Sequence, residues 1–360
     1  MPPVAEAAGD LRLTAAGLPG LPAWATPLMD TSAETGEDAG AALRLAGRYG
    51  TLLPQPGAGH TAVRWAVLAA VAERNLIVAR VLEAHSDALA ILSEAGQPPP
   101  GGTWGVFAAE AAPHRLTASG PGGQTVLTGV KPWCSLAGEL DYALVTAHAG
   151  DQRRLYRVSL REPSVTVDPP GGWVARGLRT VTSVAVRFDG TPAEPVGEAG
   201  WYLTRPGFAW GGMGVAACWH GGAAGLRAAV LRAGASRADD LAALHAGVVD
   251  AAVWGSAAAL GRGAALIDGG RAEGRAGQVL GLRVRAIVAD TAERVIRQAG
   301  HALGPAPLAF DEDHARRVAD LELYIRQHHA ERDLARLGAA ASKELDPGQD
   351  SRRAEPGKSG

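Results

Sequence analysis

The amino-acid sequence predicts an α+β multi-domain chain with an N-terminal helical unit, a central small β-barrel and a C-terminal helical bundle. Apolar residues recur at three- and four-residue spacing from about 36 to 95, which is typical of helices. Short β-prone runs follow between about 116 and 190, and the helical spacing returns after 207. The predicted parts are a flexible segment at 1–35, a helical domain at 36–100, a barrel at 101–206, a bundle at 207–338 and a disordered tail at 339–360.

Proline and glycine mark the boundaries of these parts. The run QPPPGG at 97–102 cannot continue a helix, so the helical domain ends there. The stretch LTASGPGGQTVLTGVK then places two β-prone runs around Gly-Pro-Gly-Gly, which predicts a hairpin. Further strands are predicted at 142–147, 154–160 and 180–190, and several short strands at such spacing favour a barrel or a sandwich.

Composition favours a soluble cytoplasmic protein. The chain has 360 residues, 47% of them hydrophobic, and a formal net charge of −2, so a basic nucleic-acid-binding surface is not expected. The two cysteines, Cys134 and Cys218, fit a reducing compartment, and the N-terminus does not resemble a secretory signal. Residues 207–226 contain no Asp, Glu, Lys or Arg, but their many glycines predict a buried helix rather than a membrane span.

Common catalytic motifs are absent from the sequence. The segment GPGGQT lacks the Lys-Ser/Thr of a P-loop, and no GxGxxG joins a strand to a helix. No HExxH, no pair of Glu-x-x-His motifs and no GxSxG occurs either. These absences argue against most metal and acyl-serine chemistry, and no metal site is predicted.

The stretch DLELYIRQHHAERDLARLG at 320–338 reads as one amphipathic helix with two adjacent histidines. An apolar row of Val318, Leu321 and Ile325 continues at helical spacing to His328, while His329 is rotated by about 100° around a helix. Both histidines can equally well pair with nearby acids on a solvated turn. The residues alone leave a chemical and a structural role open.

Three segments, taken in order, resemble the acyl-CoA dehydrogenase family. GVKPWCSLAGELDYALVTA at 129–147 resembles the family's flavin-contacting G-x-K-x-W-x-[ST] run and the strand after it. WVARGLRTVTSVAVRFDGTPAEPVG at 173–197 resembles a later barrel strand, and RQAGHALG at 297–304 is similar to a glycine turn that contacts a neighbouring subunit's flavin dinucleotide. The resemblance covers roughly 40–338.

The resemblance implies an FAD-dependent oxidoreductase that acts on the CH–CH bond of an acyl thioester, with CoA as the candidate carrier. Trp133 and Ser135 would then lie along the isoalloxazine ring. Gly300 and Gly304 would serve the dinucleotide of a partner subunit, which implies a homodimer or a homotetramer. An electron-transfer protein or a flavin reductase is a possible further partner.

Two departures from the family pattern bear on activity. Glu110 is retained, but the Gly-Ser-Asp turn that usually follows it is missing. The alignment also places His328 where the family has its catalytic glutamate, so His328 becomes the predicted acid/base, and neutral imidazole suits that role near pH 7. Two alternatives stay open: a monooxygenase of the same fold that uses reduced flavin, and a non-catalytic relative kept as a scaffold.

Overall fold

The computed structural model describes residues 18–120, 124–236 and 239–345, and its first part is helical. The helices of this part are α1 (Ala25–Glu34), α2 (Ala39–Tyr49), α3 (Thr61–Arg74) and α4 (Leu76–Glu94). The Asp38 carboxylate caps α2 by accepting from the Ala41 N–H, and Asn75 separates α3 from α4 by capping α4 through the N–H groups of Ile77 and Val78.

The prediction of a flexible segment up to residue 35 is wrong for α1; residues 1–17 lie outside the described residues. Ala25 and Leu28 are fully buried, so the helix is fixed by packing against the core. Three of its polar side chains, Thr31, Ser32 and Thr35, bond to carbonyl groups one turn back. The short apolar row gave too weak a periodicity to predict this helix.

The middle part is the predicted small barrel. Its strands are β1 (Trp104–Phe107), β2 (Leu116–Ser119), β3 (Thr125–Ser135), β4 (Tyr142–Ala149), β5 (Gln152–Ser159), β6 (Val165–Val167) and β7 (Ser183–Val196). Neighbouring strands run in the order β1-β4-β2-β3-β7-β5, β5 pairs again with β4 to close the ring, and β6 lies on β7. The predicted hairpin is the antiparallel pair β2–β3, with Ser119 opposite Val126; residues 121–123 of its turn are outside the described residues.

The last part is a helical bundle around the uncharged, glycine-rich helix. Its uncharged stretch at 207–226 is mostly buried, as predicted. Gly221 allows its close crossing of α3, because a Cβ there would overlap the Ala69 carbonyl oxygen. The helices are α5 (Trp201–Thr204), α6 (Pro206–Ser236), α7 (Asp240–Asp268), α8 (Gly274–Leu303), α9 (Ala306–Phe310), α10 (Glu312–Tyr324) and α11 (Glu331–Leu345).

One helix among those described, α7, is long and apolar enough to cross a membrane by length and composition alone. Of its 18-residue apolar stretch, 22% is buried within the protein. It packs on α6 and α8 within the bundle. Leu241, Leu244 and Trp254 lie on its exposed surface.

The single helix predicted for 320–338 is in fact two helices, and the disordered tail predicted from 339 is helical up to 345. α10 ends at Tyr324, a 3-10 turn covers Ile325–Gln327, and the chain is extended at His328. Ala330 has a positive φ of 41°, and the Asp333 carboxylate accepts from the His329 N–H to start α11. No glycine or proline marks this break, so the sequence pattern runs straight through it.

The barrel and the bundle are joined at the loop before β7. Gly177 lies so close to α10 that a Cβ would overlap the Ala319 carbonyl oxygen. The next residue, Leu178, donates its N–H to the buried Asp320 carboxylate, although its φ of 46° is unusual for a branched side chain. This contact joins the loop of the barrel to α10.

Candidate functional site

Trp133 is held outward by an irregularity in β3. The pairing of β3 with β7 shifts between Lys131 and Cys134, which leaves Trp133 outside the regular ladder. Trp133 and Leu136 both have positive φ, at 60° and 55°. The indole is 59% exposed, and a large aromatic surface held by strained backbone is a feature of ligand-binding segments. Nearby, the Ser135 and Ser183 hydroxyls are 2.8 Å apart.

A buried lysine of β3 stabilises this segment through hydrogen bonds. Lys131 is 1% exposed, and its Nζ donates to Glu110 Oε1 at 2.7 Å and to the carbonyl and hydroxyl oxygens of Thr146. Burial lowers the pKa of Lys131, while the Glu110 carboxylate opposes that change. Glu110, the acid that resembles the family residue, therefore acts as the counter-ion that anchors the strand carrying Trp133.

The seam between the barrel and α4 is tightly packed. Ser135, Phe107 and Arg80 line a crevice of only about 20 Å³, too small for an aromatic ring. An aromatic ligand could therefore reach this part of the barrel only outside the crevice. There, β3 exposes the indole of Trp133.

A larger cavity of about 490 Å³ lies in the helical part, between α4, α6, α8 and α11. Apolar and small residues of α6 and α8 form much of its wall, including Phe208, Val215 and Leu282. Arg205 reaches the cavity from the turn before α6, where it pairs with Glu94 at 2.6 Å. The size and the mostly apolar wall suit a small-molecule ligand.

Two carboxyl groups of α4 face this cavity one turn apart. Burial raises the pKa of Glu83 to about 7 despite its pairing with Arg80. Burial also raises the pKa of Asp87, against the opposing charge of Arg205. Gly211 makes room for Asp87, because a Cβ there would lie 2.7 Å from the carboxylate oxygen.

Sequence reasoning missed these two acids and the arginines around them. The available signal was the spacing: Arg80, Glu83 and Asp87 recur at three and four residues within a helix that is otherwise apolar. Such a row reads equally well as a solvated face. Only the packing of α6 and α8 over it makes the row a cavity wall.

The two predicted histidines lie in different environments. His328 has a side chain only 8% exposed and packs edge-on against Trp219, and its Nε2 lies 3.9 Å from Asp333 without a hydrogen bond. Burial and the charge of Arg285 lower its pKa. His329 is the histidine on the cavity wall, with a 66% exposed side chain next to Asp333. The premise that a continuous helix turns His328 towards a cleft is therefore wrong, and its catalytic role stays a prediction.

The predicted glycine turn is at the C-terminal end of α8. Gly300 lies within the helix, and Gly304 ends it with a φ of 68°. No heavy atom of the described residues lies within 4 Å of a Cβ added at either position. The backbone here is open to a close approach, and its role in binding a dinucleotide stays a prediction.

Known proteins resemble this chain in structure but not in sequence. No family model matches the sequence, and no curated protein does so at a significant level. FMN-bound TdsC from Paenibacillus sp. A11-2 has a TM-score of 0.74 at 16% identity and covers 87% of this chain and 95% of its own. A nitrososynthase from Micromonospora carbonacea var. africana has a TM-score of 0.72 at 16% identity, covering 91% and 99%. Butyryl-CoA dehydrogenase from Megasphaera elsdenii has a TM-score of 0.73 at 14% identity, covering 92% and 97%.

These likenesses define the class of protein by its fold. The chain has the acyl-CoA dehydrogenase-like fold of a helical domain, a barrel and a helical bundle, as the three resembling segments predicted. The proteins that share it include flavoproteins, one of them in an FMN-bound form. At such low identity the likeness carries the fold and not the activity.

Proposed function

We propose that this chain is a flavin-dependent oxidoreductase whose substrate occupies the cavity of about 490 Å³ in the bundle. The observation that carries the proposal is this mostly apolar cavity with two carboxyl groups of raised pKa, Glu83 and Asp87, in a flavoprotein fold. Titratable groups shifted by burial within a pocket are typical of catalytic sites.

Trp133 and Ser135 fit a flavin ring by their chemistry. The exposed indole offers a face for stacking, and the Ser135 hydroxyl offers a donor or acceptor beside it. Gly300 and Gly304 extend the proposal to FAD, because open backbone suits a pyrophosphate. The FMN-bound relative makes FMN the alternative cofactor.

Flavin binding is tested by the colour of the protein. Purified protein incubated with FAD or FMN and then desalted should retain a flavin absorption spectrum. Retention of FAD alone supports a role for the glycine turn, and retention of FMN alone removes that role. Protein that stays colourless with both cofactors overturns the proposal and leaves the non-catalytic relative as the better account.

The first candidate reaction is the oxidation of an acyl thioester at its CH–CH bond. A bound flavin would supply the hydride acceptor. The apolar wall formed by Phe208, Val215 and Leu282 would hold the acyl chain of the substrate. A side chain of the protein would accept the α-proton of the substrate. His328 is the residue that the family alignment selects for this proton.

The second candidate is a monooxygenase that receives reduced flavin from a reductase. Two observations favour it. The segment between α10 and α11 has histidines where a dehydrogenase of this family has its glutamate, and one protein of similar fold is dibenzothiophene monooxygenase. In this second candidate, the cavity residues of the present chain would orient a substrate and move protons as in the first candidate, but oxygen would be the co-substrate.

One pair of measurements separates the candidates. Anaerobic bleaching of the bound flavin by butyryl-CoA or octanoyl-CoA is expected of the dehydrogenase. A monooxygenase is expected to consume oxygen when it is supplied with reduced FMN. Addition of a substrate should then lower the yield of hydrogen peroxide. Flavin binding without either reaction supports a binding or scaffold role.

The shared flavin site also predicts a homodimer or a homotetramer in solution. Leu241, Leu244 and Trp254 on the exposed side of α7 supply apolar surface for such an assembly. Light scattering of the flavin-loaded protein tests it. A monomer would remove Gly300 and Gly304 from any cofactor site across an interface.

A further inference from the structure

Glu83 combines burial with access to the cavity. It lies in the middle of α4, is 6% exposed, and contributes to the wall of the bundle cavity. The charged and titratable groups that act on it come from every element packed around it. They are Arg64 of α3, Arg80 and Asp87 of α4, Tyr202 of α5, Cys218 of α6, Arg285 of α8 and Tyr324 of α10.

The two oxygens of the Glu83 carboxyl group have different surroundings. Arg80 Nη1 donates to Oε2 at 3.0 Å, and the Tyr324 hydroxyl donates to the same oxygen at 3.4 Å. Among the described residues no donor reaches Oε1. One oxygen is anchored, while the other has no donor among the described residues and belongs to a side chain on the cavity wall, an arrangement that suits a general acid or base.

The balance of burial and charge adds to this geometry. Burial raises the pKa of Glu83 to about 7, while Arg80 and Arg64 oppose the rise and Asp87 supports it. A carboxyl group with such a pKa exchanges its proton near neutral pH, as a matched acid/base does.

Other acid/base candidates of this region have poorer positions. His328 packs on Trp219 rather than on the cavity wall. His329 is on the wall but is mostly exposed and lies beside Asp333. Asp87 faces the cavity, but among the described residues it lacks a hydrogen-bond donor that orients its carboxylate.

We propose that Glu83 is the catalytic residue that exchanges a proton with the molecule bound in the cavity, through Oε1, while Arg80 and Tyr324 hold Oε2. This inference rests on the proposed function. In the dehydrogenation, the α-carbon of the substrate loses its proton to Oε1 of ionised Glu83. The electron pair of that C–H bond would form the C=C bond, and the β-hydrogen would leave as hydride, for which a bound flavin would be the two-electron acceptor.

The first test needs neither flavin nor substrate. Dicyclohexylcarbodiimide is an apolar reagent that adds to protonated carboxyl groups and ends as a stable N-acylurea. Labelling of the full chain at pH 6 and at pH 8.5, mapped by mass spectrometry, should show Glu83 modified at pH 6 and several-fold less at pH 8.5. The exposed Glu322 of α10 serves as the control. Labelling of Asp87 without Glu83, or no labelling of either, overturns the inference.

The second test uses the flavin-loaded protein and octanoyl-CoA. Glu83→Gln should lower the rate of flavin bleaching by about 10²-fold or more while the dissociation constant of octanoyl-CoA changes little. Glu83→Asp should retain part of the rate, and the wild-type dependence of the rate on a group near pH 7 should vanish in Glu83→Gln. Glu322→Gln should behave as wild type.

The two tests separate failure of this inference from failure of the proposed function. Wild-type bleaching that survives Glu83→Gln overturns the role of Glu83 and leaves the dehydrogenase intact. A wild-type protein that octanoyl-CoA does not bleach overturns the dehydrogenase. The carbodiimide labelling then decides whether Glu83 is a proton-exchanging group of the cavity.

Discussion

Asp320 of α10 accepts a hydrogen bond of 2.5 Å from the backbone N–H of Leu178, in the loop that leads into β7. The carboxyl group is 2% exposed, and burial raises its pKa to about 6. A buried acid thus fixes the loop of the barrel to the helix that precedes the two histidines.

Asp320→Ala should therefore destabilise the fold by about 1–3 kcal/mol, because it leaves the buried Leu178 N–H without an acceptor. Asp320→Asn keeps an acceptor oxygen and should cost less. Urea unfolding at pH 7 measures both. Asp313→Ala, an exposed position of the same helix, is the control, and a loss as large as that of Asp320→Ala would show that the hydrogen bond is not the cause.

Gly177→Ala should destabilise the fold by about 3 kcal/mol, because the added methyl group overlaps the Ala319 carbonyl oxygen and also approaches the Asp320 nitrogen to 2.8 Å. Gly171→Ala is the matched control in the same loop, where no heavy atom lies within 4 Å of the added carbon. Thermal unfolding of the two variants should separate them by several degrees. Equal midpoints would contradict the close contact.

Trp133→Ala should weaken flavin binding by about tenfold without a comparable loss of stability, because the indole is 59% exposed and its stacking energy is of order 1 kcal/mol. Quenching of flavin fluorescence measures the dissociation constant. Leu52→Ala removes another exposed apolar side chain, outside the proposed cofactor and assembly surfaces, and should leave the dissociation constant unchanged. An unchanged affinity in Trp133→Ala would remove β3 from the flavin site.

The histidine pair is resolved by comparing two conservative variants. If His328 is the acid/base, His328→Gln should keep flavin and fold but lower flavin reduction or oxygen transfer by about 10²-fold, while His329→Gln changes little. The alternative is that His328 has a structural role. Since His328 packs on Trp219, a purely structural role predicts a lower unfolding temperature for His328→Gln with an unchanged rate per folded, flavin-loaded molecule.

Glu83 should make the fold less stable as the pH rises. Its folded-state pKa of about 7 lies above the ordinary value of 4.5, so its contribution is fully present below about pH 4.5 and is lost as the pH rises through 7. The lost amount is about 3 kcal/mol for a shift of this size. The difference in unfolding free energy between wild type and Glu83→Gln, measured from pH 5 to 8, should follow this curve. A pH-independent difference would mean an ordinary pKa.

The order of helices, barrel and bundle was predictable because each part has its own apolar period over many residues. The buried α6 was predictable because twenty positions lack a charge. The helix α1 was not predictable, since Ala25 and Leu28 form too short an apolar row. The break before α11 was not predictable either, because tertiary contacts impose it. Arg285 donates to the Gln327 carbonyl oxygen, and the Asp333 carboxylate accepts from the His329 N–H.

The candidate site was only partly accessible to sequence reasoning. A family pattern selected Trp133 and Ser135. The structure gives Trp133 an exposed surface and a positive φ, whereas Ser135 is half-buried with an ordinary backbone. Glu83 and Asp87 have no local signal that separates a cavity wall from a solvated helix face. Their raised pKa values arise from the packing of other helices over α4, which no pattern within α4 records.

α11 differs from the other walls of the cavity in how it is held. Asp333 is its only buried residue among 331–344, and its contacts with the bundle include ion pairs such as Arg283 with Glu344. Substitutions on this helix therefore disturb little of the core, whereas changes in α4 or α6 create cavities or clashes there. Natural variation can thus reshape the cavity from α11 while the fold is conserved, and changes of ligand preference should begin with the exposed Arg336 on the cavity wall rather than with Asp333, which holds the start of the helix.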